Sequence, residues 1–130
     1  MSKREGELKS ALTKELARQC PNFYVLRYAT AGAPDRSIVG AGRQTNWECK
    51  HATPDFDSPD NQALLCTRIA VNGGHCRYVL WQERKGLERT VIVHPRHILE
   101  RTTWDVLPEA WCAGFDHRWL VEQIRKAHGI

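Results

Sequence analysis

The sequence predicts an α/β (α+β) fold with a single mixed β-sheet flanked by helices, and three observations lead there. Residues 4–18 carry Leu8, Ala11, Leu12, Glu15 and Leu16 at helical spacing. A second helical stretch opens at Ser58-Pro59, an N-cap followed by a first-turn proline, and stops near Asn72 before Gly73-Gly74. Runs rich in β-branched and aromatic residues lie around these helices, at 23–28, 76–81 and 89–93. A helix between two strands returns the chain to a parallel position, whereas hairpins are antiparallel, so the sheet is mixed.

The 130 residues predict one domain, with a core over about 4–101 and a helical extension over about 102–130. Nineteen Lys and Arg oppose fifteen Asp and Glu, a net charge of +4. That balance is compatible with a phosphate-rich partner. No apolar run reaches the ~18 residues of a membrane span, so no membrane partner is expected. Met1–Glu7 lacks an apolar signal core, which predicts a cytoplasmic protein. Five cysteines without repeated spacing read as small reduced hydrophobes.

In the first helix, Glu5 shares the stripe of Leu8, Leu12 and Leu16, while Glu7 lies about 100° away. Glu5 should therefore point at the body of the protein and Glu7 at solvent. Pro21-Asn22 end that helix, and Phe23–Tyr28 form the first strand. A hairpin follows, with strands near 35–40 and 43–50 joined around Ala41-Gly42. His51–Ser58 reads as a polar loop. Cys76–Trp81 and Arg89–Val93 are strands separated by a Lys85-Gly86 turn. His94-Pro95 starts a short helix ending near Arg101, and Asp116 caps a last helix reaching about Ala127. Trp104, Trp111 and Trp119 in the tail are expected to complete the core or an oligomer contact.

The hairpin register carries the functional prediction. Opposed residues in an antiparallel pair have a constant index sum. A two-residue loop pairs Gly40 with Arg43 and a four-residue loop pairs Val39 with Gln44; both put Asp35 opposite Glu48, about 5 Å apart. Lys50 falls on the same face, with Ser37, Val39, Gln44 and Asn46. Ile38, Trp47 and Cys49 take the other face and are free to pack on a helix. Two opposed carboxylates repel, and a hard divalent cation such as Mg²⁺ relieves that repulsion. Glu5 is a candidate third ligand. A cation there stabilises charge on a scissile phosphate, and Lys50 beside it would position water or neutralise phosphate. Gln62 sits near the start of the second helix on its inward stripe with Leu65, Cys66 and Ile69, where it is either a site residue or a satisfied core glutamine. Arg27, Arg36, Arg43, Lys50 and His51 are the candidate nucleic-acid contacts.

Gly32-Ala33-Pro34-Asp35-Arg36, Gly40-Ala41-Gly42-Arg43, Trp47-Glu48-Cys49-Lys50 and Gln62 together resemble the PD-(D/E)XK nuclease superfamily, most of all its VRR-type nuclease domain. Glu5-Gly6-Glu7-Leu8, followed by a strand ending in arginine, resembles the start of Holliday-junction resolvases. The likeness covers about residues 5–81 and leaves the tail from Trp104 unaccounted for. It implies an αβββαβ restriction-endonuclease-like core and Mg²⁺ or Mn²⁺ on Asp35 and Glu48, with the backbone carbonyl of Cys49 as a further ligand. It implies Glu5, or failing it Glu7, as the helix acid, Lys50 as the catalytic lysine, and Gln62 near the active site. It also implies a DNA endonuclease that leaves a 5′-phosphate. Such an enzyme would act on branched DNA as a homodimer, in repair, recombination or phage DNA processing. Cysteine between the acid and the lysine departs from the apolar residue of many relatives, and packs as one.

Three other readings compete. A zinc module would draw on Cys49, His51, Cys66, His75, Cys76, His94, His97 and Cys112, but their spacing matches no recognised site. A non-catalytic nucleic-acid-binding protein would not need Asp35, Glu48 and Lys50 together. A restriction-type endonuclease usually carries extra recognition segments, for which only the tail is left.

Overall fold

A computed structural model of the protein describes residues 3–27, 34–53, 60–99 and 107–130. The chain runs α1 (Lys3–Gln19), β1 (Tyr24–Leu26), β2 (Arg36–Gly40), β3 (Arg43–Ala52), α2 (Asp60–Val71), β4 (Cys76–Arg84), β5 (Leu87–Val93), α3 (Pro95–Leu99), β6 (Ala110–Ala113) and α4 (His117–Ala127). The fold is mixed α/β, with one six-stranded sheet in the order β1-β2-β3-β4-β5-β6. Only β3 and β4 run parallel, joined through α2; the other neighbours are antiparallel. No helix among the described residues is long and apolar enough to cross a membrane.

Helices cover both faces of the sheet. On one face Leu8, Leu12 and Leu16 of α1 and Leu120, Val121 and Ile124 of α4 bury against Ile38, Trp47, Cys49, Val79 and Trp81. Each such aliphatic side chain contributes about 2 kcal/mol on burial. On the other face Ala63 and Cys66 of α2 and Ile98 of α3 pack on Ala52, Tyr78, Leu80, Val91 and Val93. The central strand β4 is therefore buried on both sides, which is why 76–81 reads as an almost unbroken apolar run rather than an alternation.

Two features correct the sequence expectation. The C-terminal extension is not wholly helical: Ala110–Ala113 pair with β5 as an edge strand. The second hairpin strand runs on to Ala52, into the stretch expected as loop. The capping pair Ser58-Pro59, Tyr28, Arg101 and Trp104 lie outside the described residues. Trp119 is half-buried against the core, whereas Trp111 is exposed. Asp116 caps α4 as expected, its carboxylate accepting from the amides of Arg118 and Trp119.

The hairpin between β2 and β3 turns through Ala41 (φ 51°) and Gly42 (φ 76°). Left-handed φ at both central residues is the pattern of the two-residue turn whose twist matches the strands. Alanine is costly there, by about 1 kcal/mol. Ala41→Asn is accordingly expected to raise the melting temperature by roughly 2–6 °C, read by thermal denaturation; a fall would mean that the turn has another geometry. The tip is held from behind by α4. His128, just past its end, places Nδ1 2.8 Å from the Gly40 carbonyl and Nε2 2.7 Å from Thr45 Oγ1. The Gly40 carbonyl can only accept, so Nδ1 carries a proton.

Candidate active site

Observed pairing runs Gly40–Arg43 through Arg36–Trp47, so the register continues to Asp35 beside Glu48. The two residues interlock. The Asp35 amide donates to Glu48 Oε2 at 3.2 Å, and the Cys49 amide donates to Asp35 Oδ2 at 2.9 Å. Asp35 thus takes up a backbone donor at the point where β2 has just begun. Ser37 donates to Asn46 Oδ1 on the same pairing, and the Asn46 amide group donates to the His75 carbonyl at 2.7 Å. The polar face of the hairpin is not open to solvent at its base: Ser37 and Glu48 are fully buried.

Helix α1 brings two more charges. Glu5 is buried and Glu7 exposed, as their positions on the helix predict. Lys9, one turn beyond Glu5, bridges Glu5 Oε1 at 3.3 Å and Asp35 Oδ1 at 2.9 Å. Lys50 bridges Glu5 Oε1 at 3.4 Å and Glu48 Oε1 at 3.5 Å. Three carboxylates and two ammonium groups alternate along this chain, from Asp35 through Lys9, Glu5 and Lys50 to Glu48. Glu5 is therefore the acid that reaches the site, but as the shared partner of two lysines rather than as a third carboxylate grouped with Asp35 and Glu48. Among the described residues no three His, Cys, Asp or Glu side chains converge in metal-ligating geometry.

The site's electrostatics follow from burial. Removal from water, then the Asp35 carboxylate beside it, push the Glu48 carboxyl up to about 8 against the opposing pull of Lys50. Burial opposes the charge on Lys9, but the hydrogen bond and charge of Asp35, followed by Glu5, outweigh it and raise its pKa. Cys49 lies in the core with its thiol pushed well up by burial. It packs as an apolar residue.

The donor set fits a hard divalent cation. Glu48 Oε1 is buried and, among the described residues, has no hydrogen-bond donor closer than the Lys50 ammonium, which stands 3.5 Å away in ion-pair range. An orphaned carboxylate oxygen beside a second carboxylate is an oxygen-only half-shell, which leaves the remaining positions to water and substrate. Gln62 Oε1 is likewise buried without a donor. Gln62 shares its helix face with Cys66, one turn on, which packs on the sheet. Hydrogen bonding to Cys76, burial, and then the charges of Glu48 and Asp35 push the Cys66 thiol up.

The remaining candidates divide. Arg36 lies at the site, its guanidinium donating to the Asp35 carbonyl at 2.8 Å and to Thr13 Oγ1 at 3.4 Å. Arg27 comes beside it in a groove along α1. Arg43 does not join them. It sits at the hairpin tip, seven strand residues or roughly 20 Å from Lys50, and its guanidinium reaches the Ala127 carbonyl at 3.4 Å. His51 points to the opposite face of β3, where it meets Glu83 at 3.0 Å and the edge of Trp81, under Arg4.

Lys9 is the residue that sequence reasoning missed. Its signal was present, since glutamate four residues before lysine on one helix is a stabilising pair. Its second partner, Asp35, becomes visible only when α1 packs on the sheet. Neither a protein-family model nor a curated protein sequence matches the chain, so the functional reading rests on this geometry.

Proposed function

We propose that the protein is a metal-dependent nuclease hydrolysing phosphodiester bonds in DNA, with Asp35 and Glu48 holding Mg²⁺ or Mn²⁺ and Lys50 as the catalytic lysine. The observation that carries this reading is the interlocked Asp35–Glu48 pair, with one buried carboxylate oxygen left without a donor and an ammonium group 3.5 Å from it. The likeness to the PD-(D/E)XK pattern, in which a proline-aspartate precedes an acid-x-lysine, points the same way. A bound cation would stabilise charge growing on the scissile phosphate and acidify water. The chain's own residues do the rest. Lys50 supplies a compact positive charge that orients water or neutralises phosphate oxygen. Glu5 and Glu48 fix where that ammonium stands, and Lys9 and the Cys49 amide fix the Asp35 carboxylate. Gln62, whose buried Oε1 has no donor among the described residues, is the further acceptor that the PD-(D/E)XK likeness assigns near the site. Branched DNA as substrate, a homodimer as the working form, and a role in repair, recombination or phage DNA processing complete the proposal.

The test is incubation with end-labelled four-way junction, flap and single-stranded DNA and with plasmid, in Mg²⁺, in Mn²⁺ and in chelator. Cleavage of at least one substrate in metal and none in chelator is expected, with four-way junction or flap preferred. Absence of cutting on every substrate, with DNA binding retained, would replace the enzyme by a binding protein on this fold.

A further inference from the structure

A groove of about 360 Å³ runs between α1 and the β1–β2 edge of the sheet and is lined by Gly6, Lys9, Ser10, Thr13, Lys14, Arg27 and Arg36. Among the described residues its lining holds four cationic side chains, two hydroxyls and no carboxylate. Lys14 and Arg27 form no ion pair among the described residues, so their charge is not spent inside the fold. Arg27 and Arg36 approach closely enough to repel, and burial and that repulsion both work against the charge on Arg36. Lys9 is paired with Glu5 and Asp35, but Lys14, Arg27 and Arg36 bring three more positive charges to one groove, and such a gathering favours an anion that shares the space. The larger cleft on the other flank of α1 makes the contrast plain. It also holds Lys14 and Arg18, but Glu7 and Glu15 sit among them.

Two further features fit an anion. Gly6, inside a helix where glycine costs about 1 kcal/mol relative to alanine, has nothing within 4 Å of the Cβ it lacks, so no packing in the fold requires it. Lys9 lines the groove and also binds Asp35, and Arg36 follows Asp35 in the chain, so the groove lies next to Asp35.

We propose that this groove holds backbone phosphate of the DNA strand next to the scissile bond, with Lys14, Arg27 and Arg36 as the charges and Ser10 and Thr13 as hydroxyl donors. The identity of the strand rests on the nuclease reading; the anion site does not. The strand then enters along α1, and the hairpin tip with Arg43 takes no part in holding it. Contacts of this kind position the substrate without reading its sequence.

The experiment measures binding of fluorescent duplex and four-way junction DNA by anisotropy, in chelator, from about 50 to 200 mM salt. Lys14→Ala and Arg27→Ala are each expected to weaken binding severalfold, equally on all sequences, and to lower the salt slope by about 1. Lys126→Ala, on α4 beside the hairpin tip, removes the same charge from the far end and is expected to leave the slope unchanged. Thermal denaturation checks that each variant is folded, and Lys14→Glu should deepen the loss. Inorganic phosphate, titrated into the DNA-free protein by calorimetry, reads the site without DNA. Slopes unchanged in the Lys14 and Arg27 variants would overturn the proposal, as would equal losses in Lys126→Ala. Phosphate binding by a parent that binds no DNA, lost in Lys14→Ala and Arg27→Ala, would leave an anion site and overturn the strand placement. Because cleavage is not read, loss of the nuclease reading with the slopes behaving as expected would leave the groove standing.

Discussion

Lys50→Ala is expected to lower single-turnover DNA cleavage by about 10³-fold, while DNA binding falls by no more than one phosphate contact is worth. Lys50 is held between Glu5 and Glu48, at 3.4 and 3.5 Å, with its side chain only 14% exposed. Neutralising two carboxylates would be a structural task that any cation could share. Acting on water or phosphate at a fixed point demands a compact ammonium, so Lys50→Arg should not restore the rate. Lys9 has a different task. It bridges Glu5 and Asp35 and stabilises the charge of the latter, which makes it a positioning residue. Lys9→Ala is expected to cost roughly tenfold in rate and to raise the metal concentration needed for half-maximal cleavage, with the rate partly recovered at saturating metal. A larger loss from Lys9→Ala than from Lys50→Ala, or no rise in the metal requirement, would mean that the two ammonium groups are assigned to the wrong roles.

Glu48→Gln should abolish cleavage and at the same time stabilise the metal-free protein at alkaline pH. The Glu48 carboxyl titrates near 8 in the fold, against 4.5 for an ordinary glutamate, because of burial and then Asp35. The folded protein therefore binds a proton that the unfolded chain has already lost. Stability contributed by that proton is full below about pH 4.5, declines as pH rises toward about 8, and is level above it. Each pH unit inside the window is worth at most about 1.4 kcal/mol. Without metal, the parent should lose several degrees of melting temperature between pH 5 and pH 8 that the Glu48→Gln variant keeps. Mg²⁺ or Mn²⁺ should return much of the loss in the parent at pH 8 and none in the variant, since ligands must be deprotonated to bind metal. Parallel melting curves for parent and variant across that range would show that Glu48 is an ordinary ionised carboxylate.

The sequence made the core of the site legible for a geometric reason. A tight hairpin fixes which residues oppose each other, and Asp35 opposite Glu48 follows from Ala41-Gly42 whether the loop is counted as two residues or four. The parallel pairing of β3 and β4 was legible because a helix separates them. Helical spacing relative to Leu8, Leu12 and Leu16 pointed Glu5 inward and Glu7 outward, and the contacts of Glu5 with Lys9 and Lys50 bring it to the site. Other features belong to packing and left little mark in the chain. Lys9 finds Asp35 only across the α1–β2 gap. Arg43 lies close to the acids in sequence, yet an extended strand carries it to the far end of the hairpin. β6 is four residues long, has no flanking hairpin signal, and pairs with β5 from across the Pro95–Leu99 helix. The protonation of Glu48 depends on a burial that alternation along β3 does not disclose, because the polar face of the hairpin is roofed at its base.

The site assignment is tested most directly by single-turnover cleavage with parent and Asp35→Asn at matched DNA occupancy, in Mg²⁺, in Mn²⁺ and in chelator. The variant keeps the shape of Asp35 and the acceptor for the Cys49 amide while removing one negative charge from the cation's half-shell. Metal-dependent cutting by the parent, with the variant slower by about 10³-fold in Mg²⁺ and no cutting by either in chelator, is the predicted result. Cutting by the variant at the parent's rate, or cutting that persists in chelator, would contradict a metal-dependent site built on Asp35 and Glu48.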